Sequence, residues 1–397
     1  MNKKAVIFGL VTFIGMNSMM PVFADKASED VVGKKETKVE AKQESSSMSL
    51  NKAIEYALEN SKDMEIQKLE LDKAKVAYDQ NIRSIRSAEK AEDAADDVSI
   101  PRTYEVTADQ NVNMALIHHG ASRKSVELAY QVAKWNVDKK ENEIKYNVEK
   151  AYYDLSHIVK ELEIAKENLE LSKKQYEQGK LRYELGTISN QELLGMEIGL
   201  YQAQGAYDTA EMYYDLQEMS FKSTIGYPLS KRVTLVDTVE YKEHEAIDLK
   251  NSIKSALENN VGIKALEGNH EVAELTLKAV SGRYPQGTYK YKEQEVVLKQ
   301  AAKNLESAKV GIEMSVRSAV LNLQNAEEQI ATYKKAIEQA QKALEITEKS
   351  FELGRSTSNE VIQANIGLMN AKKNLSQQIH AYNLALVDYE YSIGIGK

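Results

Sequence analysis

The chain has 397 residues with no cysteine and four prolines, and its 52 basic and 60 acidic side chains give a net charge of −8. Missing thiols exclude zinc-thiolate sites, iron–sulfur clusters and cysteine nucleophiles, and an acidic balance without a basic stripe argues against nucleic acid as a partner. So few prolines, against a usual share of roughly 5%, predict few and long helices, and 22 tyrosines beside one tryptophan suit seams where a ring packs while its hydroxyl stays wet.

Residues 1–24 place Lys3 and Lys4 before an apolar stretch from Ala5 to Gly15 and close on Val22-Phe23-Ala24, the order of a secretory signal, with cleavage expected after Ala24. The apolar core is short of the roughly 20 residues that cross a bilayer as a helix. Residues 25–47 contain no aromatic side chain and little apolar content, so they are expected to form a disordered tether.

From there the chain repeats itself. Ser49–Asn60 matches Asp248–Asn259 at an offset of 199, and Ile144–Gly226 matches Ile312–Gly394 without a gap at an offset of 168. Tyr183-Glu184-Leu185-Gly186 aligns with Phe351-Glu352-Leu353-Gly354, and Glu192 aligns with Glu360. The expected organisation is a first repeat at 49–226, a connector at 227–247 and a second repeat at 248–394. Within the connector, Val233-Thr234-Leu235-Val236 is the candidate strand. The first copy carries 31 extra residues between its matched blocks, enough to lengthen two helices by about 15 residues each.

Apolar residues step by four and three through Ile144, Val148, Ala151, Leu155, Ile158, Leu162, Ala165 and Leu169. The series Ile312, Val316, Ala319, Leu323, Ala326, Ile330, Tyr333 and Ile337 does the same. This 3.5-residue period predicts coiled-coil packing, with one helix running uninterrupted from about Ser122 to Leu181. Leu185-Gly186-Thr187-Ile188-Ser189 and Leu353-Gly354-Arg355-Ser356-Thr357 each offer a glycine stop followed by a Ser/Thr cap, the signature of a hairpin tip. Glu192 and Glu360 fall in the first turn beyond, where a carboxylate suits the helix dipole. Ser281–Gly287 reads as a compact turn, and His118-His119-Gly120 as an irregularity in a long helix. The six histidines are scattered, and there is no phosphate loop, HExxH or G-x-S-x-G, so neither a metal, a cofactor nor an enzymatic activity is expected. The fold class is all-α: a tandem repeat of long antiparallel coiled-coil hairpins.

A duplicated pair of helical hairpins behind a signal, with Leu-Gly-Thr and Leu-Gly-Arg at the tips and Ile225-Gly226-Tyr227-Pro228 closing the first copy, resembles the TolC-type outer-membrane efflux family. The opening Leu50–Asn60 is similar to the start of each repeat in that family. The resemblance implies a homotrimer whose six hairpins form a hollow cylinder. Its tips would dock onto a membrane-fusion adaptor that joins it to an inner- or cytoplasmic-membrane transporter. Carried over by position, the docking residues are Leu185, Gly186, Thr187, Leu353, Gly354 and Arg355. Glu192 and Glu360 stand at an aperture ring, with Gln363 where the family often has a second acid. The chain departs from the family at the membrane, because spanning strands need about 9–11 residues each and the turn at Ser281–Gly287 has no room for them. The expectation is a barrel-less relative, exported and standing in the wall zone. The alternative is an exported coiled-coil structural or surface-interaction protein that transports nothing.

Overall fold

A computed structural model describes residues 46–96, 108–237 and 240–394; the signal and the tether as far as residue 45 lie outside them. Its described elements are β1 (Ser46–Met48), α1 (Leu50–Asn60), α2 (Lys62–Asp96), α3 (Ala108–His118), α4 (Ala121–Glu184), α5 (Asn190–Ile225), β2 (Val233–Leu235), α6 (Leu249–Asn259), α7 (Val261–Ser281), α8 (Tyr289–Glu352) and α9 (Ser358–Ser392).

The duplication governs this order. Shifting α1 by 199 residues gives the bounds of α6, and shifting α4 by 168 gives those of α8 to the residue. α4 and α8 are 64 residues each, about 96 Å at 1.5 Å per residue. The short helix that opens each repeat stops at the same place in both copies because a polar side chain caps the helix that follows. Ser61 Oγ accepts from the Met64 N–H at 3.1 Å, and Asn260 Oδ1 accepts from the Ile263 N–H at 3.1 Å.

The extra residues of the first copy lengthen one helix and not two, and some of them form a separate helix before α4. α2 is 35 residues long against 21 for α7, and the 11-residue α3 precedes α4. The break at His118-His119-Gly120 is real, with Gly120 at φ 76° separating α3 from α4. In the second copy a few residues after Ser281 turn the chain, and Thr288 caps α8 by accepting from the Tyr291 N–H. β1 and β2 are the strands among the described residues, and none of their helices is long and apolar enough to cross a membrane.

One boundary needs correction. The tether was expected to run through Ser47, but Ser46 and Ser47 belong to β1, which pairs in parallel with β2 in the register Ser46↔Val233 to Met48↔Leu235. Low apolar content does not forbid a strand when a neighbouring strand supplies the hydrogen bonds and Met48 supplies an anchor, here fully buried.

Each repeat contributes a core that holds the connector. In the first repeat Val148, Tyr152, Leu155, Phe221 and Ile225 enclose Met48 and Val233. In the second, Leu323, Ala326, Ile330 and Tyr382 pack with Tyr241 and Ile247. Tyr152 and Tyr382 are fully buried, where wet hydroxyls were expected of the tyrosines, and their hydroxyls are satisfied by the connector instead. Tyr152 Oη donates to Asp237 Oδ2 at 3.1 Å, and Tyr382 Oη donates to the Lys242 carbonyl at 2.7 Å.

Candidate functional site

The two tips share one construction. At the first, the Thr187 N–H donates to the Arg182 carbonyl at 2.9 Å and the Gly186 N–H to the Tyr183 carbonyl at 2.9 Å. At the second, Arg355 donates to Ser350 at 2.8 Å and Gly354 to Phe351 at 3.0 Å. This paired closure demands a left-handed residue, and Gly186 and Gly354 have φ of 68° and 69°. It also turns the preceding leucines outward: Leu185 and Leu353 are each 69% exposed. The six tip residues expected from the sequence therefore form two matching ends, each with an apolar side chain offered to solvent.

Both tips sit side by side in the one chain. Met196, Leu344, Phe351, Val361 and Leu368 form a shared apolar cluster between them. Ser358 Oγ donates across to the Glu192 carbonyl at 3.2 Å, and deeper in the seam Asn365 Nδ2 donates to Asn168 Oδ1 at 2.9 Å. Glu192 and Glu360 are each committed to a capping box. Glu192 Oε2 accepts from the Ser189 N–H at 2.8 Å while Ser189 Oγ accepts from the Glu192 N–H at 3.2 Å; Thr357 and Glu360 repeat the pattern at 2.7 and 3.3 Å.

The repeats meet along α4 and α9. Tyr146 Oη donates to Asp388 Oδ1 at 2.6 Å, Tyr391 Oη donates to Glu149 Oε1 at 2.9 Å, and the two tyrosine rings meet edge to face at 5.2 Å. Burial pushes the Glu149 carboxyl above the usual carboxylate range, partly offset by the Tyr391 hydrogen bond. Farther from the tips, α7 of the second repeat crosses to α4 of the first. A side chain at Gly268 would collide with Leu128, and Lys124 Nζ lies 2.7 Å from Glu271 Oε2.

These crossings have repeat equivalents that the single chain leaves open. The position matching Tyr146 is Met314 on α8, 66% exposed, and Leu321 further along the same helix is 65% exposed. On α5 the position matching His380, whose Nε2 lies 2.7 Å from Asp154 Oδ1 of α4, is Met212, exposed like Ile198 and Leu216 on the same helix. The pair matching Gly268 and Leu128 is Leu69 on α2 and Val296 on α8, 61% and 60% exposed. The pair matching Glu271 and Lys124 is Asp72 and Lys292, again of opposite sign and again exposed.

Sequence reading did not find the clip that seats β2. Glu218 and Lys222, both buried, sit one turn apart on α5 with Nζ and Oε1 3.3 Å apart. Glu218 Oε1 accepts from the Val233 N–H at 2.7 Å, Glu218 Oε2 from Arg232 Nη1 at 2.9 Å, and Lys222 Nζ donates to the Leu229 and Lys231 carbonyls at 3.1 and 3.0 Å. A carboxylate four residues before a lysine, just ahead of Ile225-Gly226-Tyr227-Pro228, was the available signal, but many such pairs on this chain are solvated.

No curated protein matches the chain significantly in sequence. Among solved structures it resembles the outer membrane protein VceC of Vibrio cholerae, with a TM-score of 0.65 at 14% identity over 87% of this chain and 96% of that one. The CmeC outer membrane channel of Campylobacter jejuni gives 0.64 at 13% over 87% and 86%, and the open state of the MtrE outer membrane channel of Neisseria gonorrhoeae gives 0.65 at 13% over 87% and 89%. Residues 286–388 match the family model described as outer membrane efflux protein. That match lies within the second repeat, and 87% of the chain shares its fold with these solved structures.

Proposed function

We propose that the chain is the subunit of an export duct in the cell envelope. Three copies associate side by side into a hollow helical cylinder, and its tips dock onto a membrane-fusion adaptor coupled to a cytoplasmic-membrane transporter. Leu185, Gly186, Thr187, Leu353, Gly354 and Arg355 make that contact, while Glu192 and Glu360 surround the aperture as they cap α5 and α9.

One observation carries this reading: where α9 and α7 of the second repeat cross α4 of the first, the matching positions on α5, α2 and α8 include exposed apolar side chains. When α4 packs on α9 within one copy, α8 is left ready to pack on α5 of the next, and Val296 to meet its Leu69. Such head-to-tail contacts close into a ring when the rotation allows it, and two repeats per chain make in-chain and between-chain seams alternate. A scaffold working as a closed monomer would have no use for apolar side chains in that register, which favours the duct over the coiled-coil alternative.

Solution mass and electron microscopy of residues 25–397 test it, with a ring-shaped trimer about 100 Å long expected. Leu69→Asp and Met314→Asp should each shift the mass toward monomer without loss of helicity. Asp72→Lys and Lys292→Asp should each weaken association and restore it when combined. A protein that stays monomeric at micromolar concentration sinks the proposal.

A further inference from the structure

His157 of α4 and His380 of α9 stack ring on ring across the in-chain seam, with centroids 4.7 Å apart and planes inclined by 14°. Three of the four ring nitrogens face a polar side chain. His157 Nδ1 lies 3.1 Å from Ser376 Oγ and its Nε2 3.6 Å from Glu161 Oε1, while His380 Nε2 lies 2.7 Å from Asp154 Oδ1. The stack borders a cleft of about 550 Å³ roofed by the connector.

The charged groups around that cleft are largely spoken for. From α4, Lys160 pairs with Glu163 at 2.8 Å, and Glu167 pairs with Lys372 of α9 at 2.5 Å. Lys334 of α8 sits over the Tyr241 ring at 4.9 Å. From the connector, Asp237 accepts from the Leu50 N–H and the Tyr152 hydroxyl, Tyr241 Oη donates to Glu327, and Glu240 is exposed. One proton on the stack has Asp154 as a close counter-ion. A second proton has only the more distant Glu161, and it places two cations face to face at van der Waals spacing.

We propose that the His157–His380 stack is an acid-sensitive clasp between the two repeats, closed while at most one ring is protonated and released when both are. The equivalent positions on α8 and α5 are Asn325 and Met212, which do not titrate. Resting on the assembly proposed above, this makes alternate seams of the duct responsive to acid. Burial, and then the neighbouring His380, hold His157 below the usual histidine range. A histidine held low in the closed state leaves the seam unaffected above its ordinary pKa near 6.5 and weakens it as pH falls through that value, by at most about tenfold per pH unit for one linked proton.

The test is hydrogen exchange of residues 372–384 in the full chain at pH 7.5 and 5.5, corrected for intrinsic rates. Opening is expected to rise about tenfold at the lower pH. His157→Asn with His380→Met, the residues the other repeat uses, should remove that step with helicity unchanged. A wild-type chain without the step, or a double variant that keeps it, overturns the clasp. NMR titration of His157 supplies an independent readout should the double variant fold poorly: a midpoint below 6.5 is expected, and one at or above it overturns the proposal. Because the seam lies inside one chain, exchange reports on it whether or not copies associate. Mass measured in parallel judges the assembly separately.

Discussion

Arg182 of the first tip lays its guanidinium over the Phe351 ring of the second at 4.8 Å and donates Nη1 to the Phe351 carbonyl at 3.1 Å. The repeat equivalent of Arg182 is Ser350, so this lock exists once per chain and ties one tip to the other. A charged hydrogen bond and a partly exposed cation–π contact together contribute about 1–2 kcal/mol. Arg182→Ser should therefore speed hydrogen exchange at residues 185–189 and 353–357 about tenfold while leaving the distant cores unchanged. Unaltered exchange at the tips would remove Arg182 from the lock.

Gly186 and Gly354 are held in the left-handed region, yet a Cβ at either would meet nothing within 4 Å. The cost of substitution is therefore conformational. Alanine at either position should lower stability to urea by about 1 kcal/mol, and asparagine by less, since its side chain tolerates that conformation. Equal losses for alanine and asparagine would mean that something other than backbone preference keeps glycine there.

Glu192 and Glu360 separate two roles by charge. Glutamine at either position still accepts the cap N–H, so Glu192→Gln and Glu360→Gln should each cost under about 1 kcal/mol. Removing the other half of the box, in Ser189→Ala or Thr357→Ala, should cost about 1 kcal/mol each. Urea unfolding decides it: a glutamine variant as damaged as the alanine one would show that the charge, and not the box, stabilises the tip.

The tips, the long helices and the strand of the connector were legible because each rests on a local rule that the duplication states twice. A glycine followed three residues later by Ser189 or Thr357, and a heptad running through Val148 and Val316, need no knowledge of what lies opposite. Features whose partner is distant in sequence were not legible. Glu218 looks like any solvated helix carboxylate until Val233 and Arg232 fold onto it. Asn168 and Asn365, on different repeats, make sense only together. Ser46–Met48 carried no apolar alternation and became a strand because β2 was there to pair with it. The open faces of α2, α5 and α8 needed both kinds of information, since the repeat alignment names the equivalents and the structure shows which of them are filled.

Glu149 offers a test of the in-chain seam by pH. Its carboxyl is raised above the ordinary carboxylate value by burial, with Glu390 adding to the effect and the Tyr391 hydroxyl and Lys145 opposing it. A carboxyl raised on folding contributes stability that is fully present below its unfolded pKa and is lost as pH rises through the folded one. At pH 7 the ionised side chain therefore works against the seam, and glutamine, which keeps the size and an oxygen to accept from Tyr391, should relieve it. Glu149→Gln is expected to melt at a higher temperature than the wild-type chain at pH 7, with the difference vanishing at pH 4. Calorimetry at the two pH values is sufficient. A variant less stable than wild type at pH 7 would mean that the ionised carboxylate strengthens the hydrogen bond to Tyr391 by more than its burial costs.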